Sequence, residues 1–256
     1  MYRENRLKAR LKQGYKCLGC WLWLGSADAA EILALSGFDV LLMDHEHGPG
    51  NFKSAIDIMR ASAVGDATLV MRVESDDAAF LKRALDSGVE GVMVPGIETV
   101  DQALDVVNAC RYPPLGRRGA AFSATRASDY GLQGPHYAAT AADNLMLIAQ
   151  IESATAVENV EEIAAVDGID MLFIGPTDLS GSVEKLLQFD DPEVSELIEK
   201  AERGIKQSGK ALGGIVLGTE NIVSKFERGY DLIVAGGDVV FLREGAKALR
   251  TQIPSE

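Results

Sequence analysis

Residues 40–48 read Val40-Leu41-Leu42-Met43-Asp44-His45-Glu46-His47-Gly48, an uninterrupted apolar run that ends in four titratable side chains. Gly37 precedes the run, and Gly48-Pro49-Gly50 ends it. A run of this kind predicts a strand that is buried on both faces, as the strands of parallel sheets are. Two of the three histidines of the chain stand directly after it. A solvated turn has little use for such a cluster, so we predict a functional site at the carboxyl end of this strand.

The composition is that of an ordinary soluble globular protein, with 256 residues of which 47% are hydrophobic and 25% charged. The formal net charge of −13 argues against nucleic acid or an anionic membrane as the main partner, because both need clustered Lys and Arg. No stretch approaches the roughly 20 apolar residues of a membrane span. The polar opening at residues 2–6 lacks the apolar core of a signal peptide. We expect a cytoplasmic protein with one domain over residues 1–256, a common size for α/β barrels.

The cysteines indicate a reducing compartment and structural roles. Cys17, Cys20 and Cys110 are too few and too irregularly spaced for a disulfide framework. The pair Cys17 and Cys20 forms a C-x-x-C, but no second Cys or His pair follows at a spacing suited to zinc. Side chains three apart in a strand also point to opposite faces, so we do not expect this pair to act together.

Apolar runs alternate with segments of helical spacing along the whole chain. The helical segments begin at Ser, Asp or Thr caps and end at glycines, and a short opening helix is expected over residues 5–13. This alternation predicts a parallel sheet with right-handed crossovers, and eight such units predict a single (β/α)₈ TIM barrel. A doubly wound open sheet is the alternative. The strand-like runs are residues 17–25, 40–47, 67–73, 91–97, 145–152, 169–175, 211–217 and 231–235.

Two segments break the alternation. Residues 112–144 are too long for an ordinary connection, and such segments are usually functional, interface-forming or partly structured. They begin on the face opposite the expected active site. Residues 178–191 follow the sixth strand, so we expect them to form a loop on the catalytic face.

A (β/α)₈ barrel builds its active site from residues at the carboxyl ends of its strands. Three strands end without a chemically active side chain, at Pro95-Gly96, Leu217-Gly218 and Gly236-Gly237. The remaining ends supply Trp21 or Trp23 from the first strand, Asp44 to His47 from the second, Arg72 from the third, Glu152 from the fifth and Asp178 after the sixth.

These residue types favour enolate chemistry at a divalent cation. Glu152 and Asp178 follow neighbouring strands, about 5 Å apart, and could chelate one cation; a few oxygen ligands suit Mg²⁺ or Mn²⁺. Zinc would need an imidazole from His45 or His47. Arg72 offers a planar fork for a carboxylate or an oxyanion, and a histidine can transfer protons near neutral pH. The alternative for Arg72 and Glu152 is a salt bridge across the barrel mouth.

Motifs along almost the whole chain resemble those of the HpcH/HpaI aldolase family, the class II pyruvate-dependent aldolases. The segment from Gly37-Phe38-Asp39 to Asp44, Glu46, His47 and Pro49 is similar to the G-F-D…D-x-E-H-x-P motif of that family. The further matches, in the family's order, are Val94-Pro95, Arg111-Tyr112-Pro113-Pro114 with Arg118-Gly119, Gln150-Ile151-Glu152 and Phe173 to Ser180. The resemblance implies a (β/α)₈ barrel, assembled as a hexamer of three dimers, that cleaves or forms 4-hydroxy-2-oxo acids from pyruvate and an aldehyde with Mg²⁺, Mn²⁺ or Co²⁺.

The resemblance also implies a role for each matching residue. Metal binding falls to Glu152 and Asp178, with Asp44 and Glu46 acting through metal-bound water. Pyruvate binding falls to Gln150 and to the backbone at Gly175, Pro176 and Thr177, with Trp21 lining the site. Catalysis falls to Arg72, which stabilises the enolate oxygen, to His47 as the base, and to Asp86, which polarises the histidine of an adjacent subunit.

One position departs from the family pattern, and other functions stay open. His45 stands where many members have a small residue; it either tunes the pKa of His47, contacts the aldehyde or points into packing. An acyl-CoA lyase or a phosphoenolpyruvate-type mutase is the alternative enzyme, although a CoA enzyme should carry a basic surface for the nucleotide. A non-catalytic barrel is the third alternative, but such a protein has no evident reason to keep Arg72, Glu152, Asp178 and His47 together.

Overall fold

The apolar runs form a closed barrel of eight parallel strands in the computed structural model, which describes residues 2–216 and 220–253. Each strand pairs with its sequence neighbour, and the eighth pairs with the first. The predicted (β/α)₈ barrel is therefore confirmed, and the open sheet is wrong. The predicted strand end at Leu217-Gly218 lies outside the described residues. The strands are β1 (Cys17–Leu22), β2 (Val40–Asp44), β3 (Thr68–Arg72), β4 (Gly91–Val94), β5 (Met146–Ile151), β6 (Met171–Ile174), β7 (Ala211–Ile215) and β8 (Leu232–Gly237).

Helices follow the strands and surround the barrel. Two short 3₁₀ helices lie at Ser62–Val64 and Arg126–Ser128. Within the described residues, no helix combines the length and the apolar character needed to cross a membrane. The α-helices are α1 (Arg6–Lys12), α2 (Ala27–Leu35), α3 (Phe52–Ala61), α4 (Ala78–Ser87), α5 (Val100–Cys110), α6 (Gly134–Asn144), α7 (Ala154–Glu158), α8 (Val160–Ala164), α9 (Pro176–Ser182), α10 (Pro192–Ser208), α11 (Ile222–Glu227) and α12 (Asp238–Arg250).

Alternate strand residues face two separate hydrophobic cores. The inner core fills the barrel and includes Cys17, Trp21 and Leu42, whereas the outer core lies under the helices and includes Cys20 and Met43. Cys17 and Cys20 thus point to opposite faces, as predicted, and they are buried free thiols, as is Cys110. The same alternation decides which side chains enter the barrel mouth beyond each strand end.

A repeated carboxylate arrangement closes the amino end of the barrel. The residue before each even-numbered strand is acidic, and its side chain accepts the backbone N–H of the second residue of the preceding strand at 2.8–2.9 Å. Four cations of the N-terminal segment bind these same carboxylates. The ion pairs are Arg10–Asp39, Arg3–Glu90, Lys8–Asp170 and Lys16–Asp231. This end of the barrel is thus satisfied by structural contacts, which leaves the carboxyl end for chemistry.

The two irregular segments contain more helix than their sequences predict. Residues 112–144 include the second 3₁₀ helix and α6, and they pack around Tyr137 against Tyr2 from the N-terminal segment. The expected loop over residues 178–191 is wrong in its first part, because α9 covers residues 176–182. Pro176 occupies the first turn of α9, where its fixed φ and missing N–H favour helix initiation.

Candidate active site

Arg72 and Asp44 form the rigid centre of the barrel mouth. The two residues are partners in the β2–β3 register. The Arg72 fork donates from Nε to Asp44 Oδ1 at 3.0 Å and from Nη2 to Asp44 Oδ2 at 2.6 Å. Both side chains are buried, and the Arg72 guanidinium also lies 4.5 Å from the ring centroid of Trp21. Bidentate pairing and ring contact together fix the guanidinium in one orientation.

The turn after β2 keeps Asp44 ionised. Its Oδ1 accepts the backbone N–H groups of Glu46 and His47 at 3.1 and 3.2 Å. Burial opposes the charged form, but the Arg72 fork and these two N–H groups outweigh it and hold the Asp44 pKa below its ordinary value. A Cβ at Gly48 would collide with the Asp44 carbonyl oxygen, so this turn requires glycine.

Glu152 lies one residue beyond β5, held by contacts from three strand ends. Its Oε1 accepts the Gly96 N–H at 2.7 Å, and its Oε2 accepts a hydrogen bond from Gln150 Nε2. A Cβ at Gly175 would lie 2.9 Å from both Glu152 Oε2 and Gln150 Nε2, so the glycine lets the β6 end approach closely. The sequence does not reveal this role of Gly96, because Gly96 contributes a backbone N–H and not a side chain.

Besides Asp44, three carboxylates share this mouth, and their charges are incompletely compensated. Burial raises the pKa of Glu152 to about 7; the Gly96 N–H opposes this rise, and the charges of Asp178 and Glu46 add to it. Burial likewise raises the pKa of Glu46, against the attraction of Arg72, whose Nε lies 3.2 Å from Glu46 Oε2. Asp178 is exposed in the first turn of α9. Such mutual repulsion favours either a proton or a cation between the carboxylates.

Glu152 and Asp178 are the two carboxylates at this mouth that could hold a divalent cation. Among residues 2–216 and 220–253, no group of three His, Cys, Asp or Glu side chains is arranged to hold a metal by itself. Mg²⁺ and Mn²⁺ tolerate a site with two protein carboxylates, in which water and substrate oxygens fill the remaining coordination positions. The buried Gln150 Oε1 also accepts no hydrogen bond here, so an acceptor atom stands beside Glu152.

The two histidines after β2 point in different directions. His47 is mostly exposed, and its Nε2 lies 3.9 Å from Glu46 Oε2 at the rim of the mouth. His45 is buried and continues the outward alternation of Met43, with its ring 6.2 Å from that of Phe52 on α3. Burial lowers the pKa of His45, although Asp44 and Glu74 oppose that shift. His45 therefore packs between barrel and helices.

The structure does not bring Asp86 to His47 within one chain. Asp86 lies in the last turn of α4, which runs back toward the amino end of the barrel. Its Oδ1 accepts a 2.6 Å hydrogen bond from Nη2 of Arg118, whose side chain is almost completely buried. Of the other predicted residues, Trp21, Gln150 and Pro176 are buried at the carboxyl end, and Gly175 and Thr177 flank Pro176.

Fold and site together define a (β/α)₈ barrel with carboxylates and the buried Arg72 side chain at its mouth. The model of the HpcH/HpaI aldolase/citrate lyase family matches residues 17–242. The chain belongs to this family, which makes it a lyase with aldolases among its relatives.

Curated relatives and a solved structure agree with this assignment. The hydroxypyruvate/pyruvate aldolase of Roseobacter denitrificans is 37% identical over 245 residues, which are 96% of this chain and 95% of that protein. The 4-hydroxy-2-oxo-heptane-1,7-dioate aldolase of Escherichia coli is 37% identical over 254 residues, 99% of this chain and 96% of that protein. The crystal structure of an HpcH/HpaI aldolase/citrate lyase family protein from Burkholderia cenocepacia superposes with a TM-score of 0.93 at 36% identity, covering 98% of this chain and 100% of that one.

Proposed function

We propose that this enzyme is a divalent-metal-dependent aldolase that reversibly cleaves a 4-hydroxy-2-oxo acid to pyruvate and an aldehyde through the enolate of pyruvate. The observation that carries this proposal is the Arg72 guanidinium, which Asp44 fixes in the same barrel mouth as the carboxylate of Glu152. A cation held by Glu152 and Asp178 would bind the 2-oxo acid and withdraw electrons from its carbonyl group. Mg²⁺, Mn²⁺ and Co²⁺ are the candidates.

Arg72 is suited to stabilise negative charge on the oxygen of the enolate. Its Nε and Nη2 are engaged by Asp44, and within the described residues no hydrogen bond to protein uses its Nη1. The two N–H groups of Nη1 therefore remain for a ligand. Asp44 and Trp21 keep the guanidinium that carries them from rotating. Preorganised donors of this kind act where charge develops in the transition state.

His47 is the proposed base for the 4-hydroxyl proton in the cleavage direction, either directly or through a water. Its exposed position at the rim, beside Glu46, leaves it accessible to substrate and able to exchange the proton with solvent. Gln150 and the backbone of residues 175–177 are proposed to orient pyruvate next to Glu152. Trp21 supplies the adjoining wall.

We further propose a cytoplasmic homo-oligomer, a hexamer of three dimers, in which Asp86 reaches His47 of a neighbouring subunit. The position of Asp86 at the opposite end of its own barrel supports action between subunits, and the buried free cysteines agree with a reducing compartment. Variants His47→Ala and Asp86→Ala should each be inactive alone, and their co-expressed mixed assembly should regain activity. Inactive mixed assemblies would contradict the shared site.

Exchange of pyruvate methyl protons for deuterium tests the central proposal without any choice of aldehyde. NMR should show exchange with Mg²⁺, Mn²⁺ or Co²⁺, and EDTA should abolish it. Glu152→Ala and Asp178→Ala should remove the exchange while leaving the circular dichroism spectrum unchanged, and Glu161→Ala on α8 is the matched control for loss of a carboxylate. Absence of exchange with every metal, in assembled wild-type protein, would refute the proposed function.

A further inference from the structure

Trp23 is a second aromatic residue of the barrel mouth, one inward-facing position beyond Trp21. The Trp21 and Trp23 rings stack with centroids 5.6 Å apart and planes 15° from parallel. Trp21 is buried, whereas Trp23 is half-buried and packs on the inner core. Because Trp21 touches the Arg72 guanidinium, the Trp23 ring extends the same wall from the reaction centre toward solvent.

The end of β8 is shaped to receive the Trp23 ring. Gly237 pairs with Trp21 in the β1–β8 register, and a Cβ on it would lie 2.5 Å from Trp23 Cζ3. The indole thus occupies the space that a side chain of β8 would otherwise fill. The buried carboxylate of Asp238 accepts the N–H groups of Trp23 and Leu24, both at 3.0 Å, and fixes the backbone that carries the ring.

We propose that Trp23 is a specificity-determining residue that forms the outer wall of the aldehyde subsite and restricts the enzyme to short aldehydes. This inference rests on the proposed function. In the synthetic direction the methyl carbon of pyruvate loses a proton and bonds to the aldehyde carbon, whose oxygen gains a proton. The aldehyde substituent therefore extends away from Arg72 and the carboxylates, along the wall made by Trp21 and Trp23. A rigid indole held at Gly237 and by Asp238 sets the length available to that substituent.

The test is a homologous series of unbranched aldehydes, from acetaldehyde to hexanal, added to pyruvate with Mn²⁺. For Trp23→Ala the ratio of kcat/KM for hexanal to that for acetaldehyde should rise at least about tenfold, the lower end of what hydrophobic pockets achieve per methylene group. Trp23→Phe should give an intermediate ratio. Leu24→Ala is the matched control, since Leu24 is the adjacent exposed residue on the other side of the backbone, and it should keep the wild-type ratio.

Deuterium exchange into pyruvate separates this inference from the proposed function, because exchange needs no aldehyde. Exchange rates within about twofold of wild type in both Trp23 variants, together with the altered ratio, would support the specificity role. Normal exchange with an unchanged ratio would overturn it while leaving the aldolase function intact. If Trp23→Ala loses exchange, Trp23→Phe decides, and an unchanged ratio in Trp23→Phe would overturn the inference. No exchange in wild type would refute the proposed function and the inference with it.

Discussion

Replacing Glu152 by glutamine should stabilise the metal-free protein at pH 8 while abolishing its activity. Burial, together with the charges of Asp178 and Glu46, raises the Glu152 pKa from 4.5 to about 7. Between these values the folded protein binds more protons than the unfolded chain, so its stability falls as pH rises through this window. Above pH 7 the penalty is complete, and it is absent below 4.5. Glutamine does not titrate, and its amide oxygen can still accept the Gly96 N–H.

The pKa rise corresponds to roughly 3 kcal/mol if the carboxylate were fully enclosed. Glu152 is partly exposed, so we expect a gain of about 1–3 kcal/mol for Glu152→Gln at pH 8. For a chain of this size that is a rise of about 2–10 °C in Tm. At pH 4.5 wild type and variant should melt together. When Mn²⁺ is added at pH 8, the wild type should melt at a higher temperature than Glu152→Gln, because only the wild type should be stabilised by bound metal.

Thermal unfolding followed by circular dichroism measures both effects, in EDTA and at one protein concentration so that assembly is held constant. Glu161→Gln, an exposed carboxylate on α8, is the control for loss of one charge. If the Tm difference between wild type and Glu152→Gln were the same at pH 4.5 as at pH 8, ionisation of Glu152 would not be what destabilises the folded protein. If Mn²⁺ does not stabilise the wild-type protein, the proposed role of Glu152 as a metal ligand is contradicted.

Three further substitutions test other contacts of the barrel mouth. Arg72→Lys should slow pyruvate deuterium exchange by about 10²-fold, because an ammonium cannot bind Asp44 at two points and still present a fixed donor; a loss below threefold would contradict this. Gly175→Ala should weaken Mn²⁺ binding at least about tenfold in calorimetric titration, since its Cβ would lie 2.9 Å from Glu152 Oε2; unchanged affinity would refute the close approach. Asp238→Ala should lower the Tm by about 4–12 °C, because it removes the acceptor of the part-buried N–H groups of residues 23 and 24, and an unchanged melting curve would oppose that account.

The barrel could be predicted because its strands are buried on both faces and therefore stand out as apolar runs. Each observed strand lies within its predicted run or within two residues of it. Seven runs extend past the carboxyl ends of their strands, and the run at residues 231–235 ends two residues before β8 does. The overshoot has a physical reason: His45 and Val73 are still buried one residue past β2 and β3, and their N–H groups donate to Arg72 and Met93 of the neighbouring strands at 2.9 and 3.0 Å. The rule that barrel chemistry lies at strand ends then selected Asp44, Arg72 and Glu152, which the structure brings together.

What the sequence could not show depends on contacts between distant parts of the chain. The packing of residues 112–144 uses a hydrogen bond from the Tyr2 N–H to Asp129, 127 residues away. The role of Gly96 is a backbone N–H, which no side-chain pattern reveals. Trp23 was considered together with Trp21 for the first strand end, but only the stacking and the space at Gly237 show that both enter the mouth. The sequence does contain a signal for the start of α9, because Pro176 favours helix initiation, and the loop predicted over residues 178–191 does not take it into account.

The carboxylates that close the amino end of the barrel constrain the order in which the chain can fold during synthesis. Lys16 and Asp231 are joined by a 2.9 Å hydrogen bond across 215 residues of sequence. During synthesis Lys16 must therefore wait for the following 215 residues before its partner Asp231 exists. Until then β1 and β7 are open edges, which are prone to pair with other chains. Barrel closure and the last of the four N-terminal ion pairs are thus completed together, and the nascent enzyme is most exposed to misassembly just before β8 arrives.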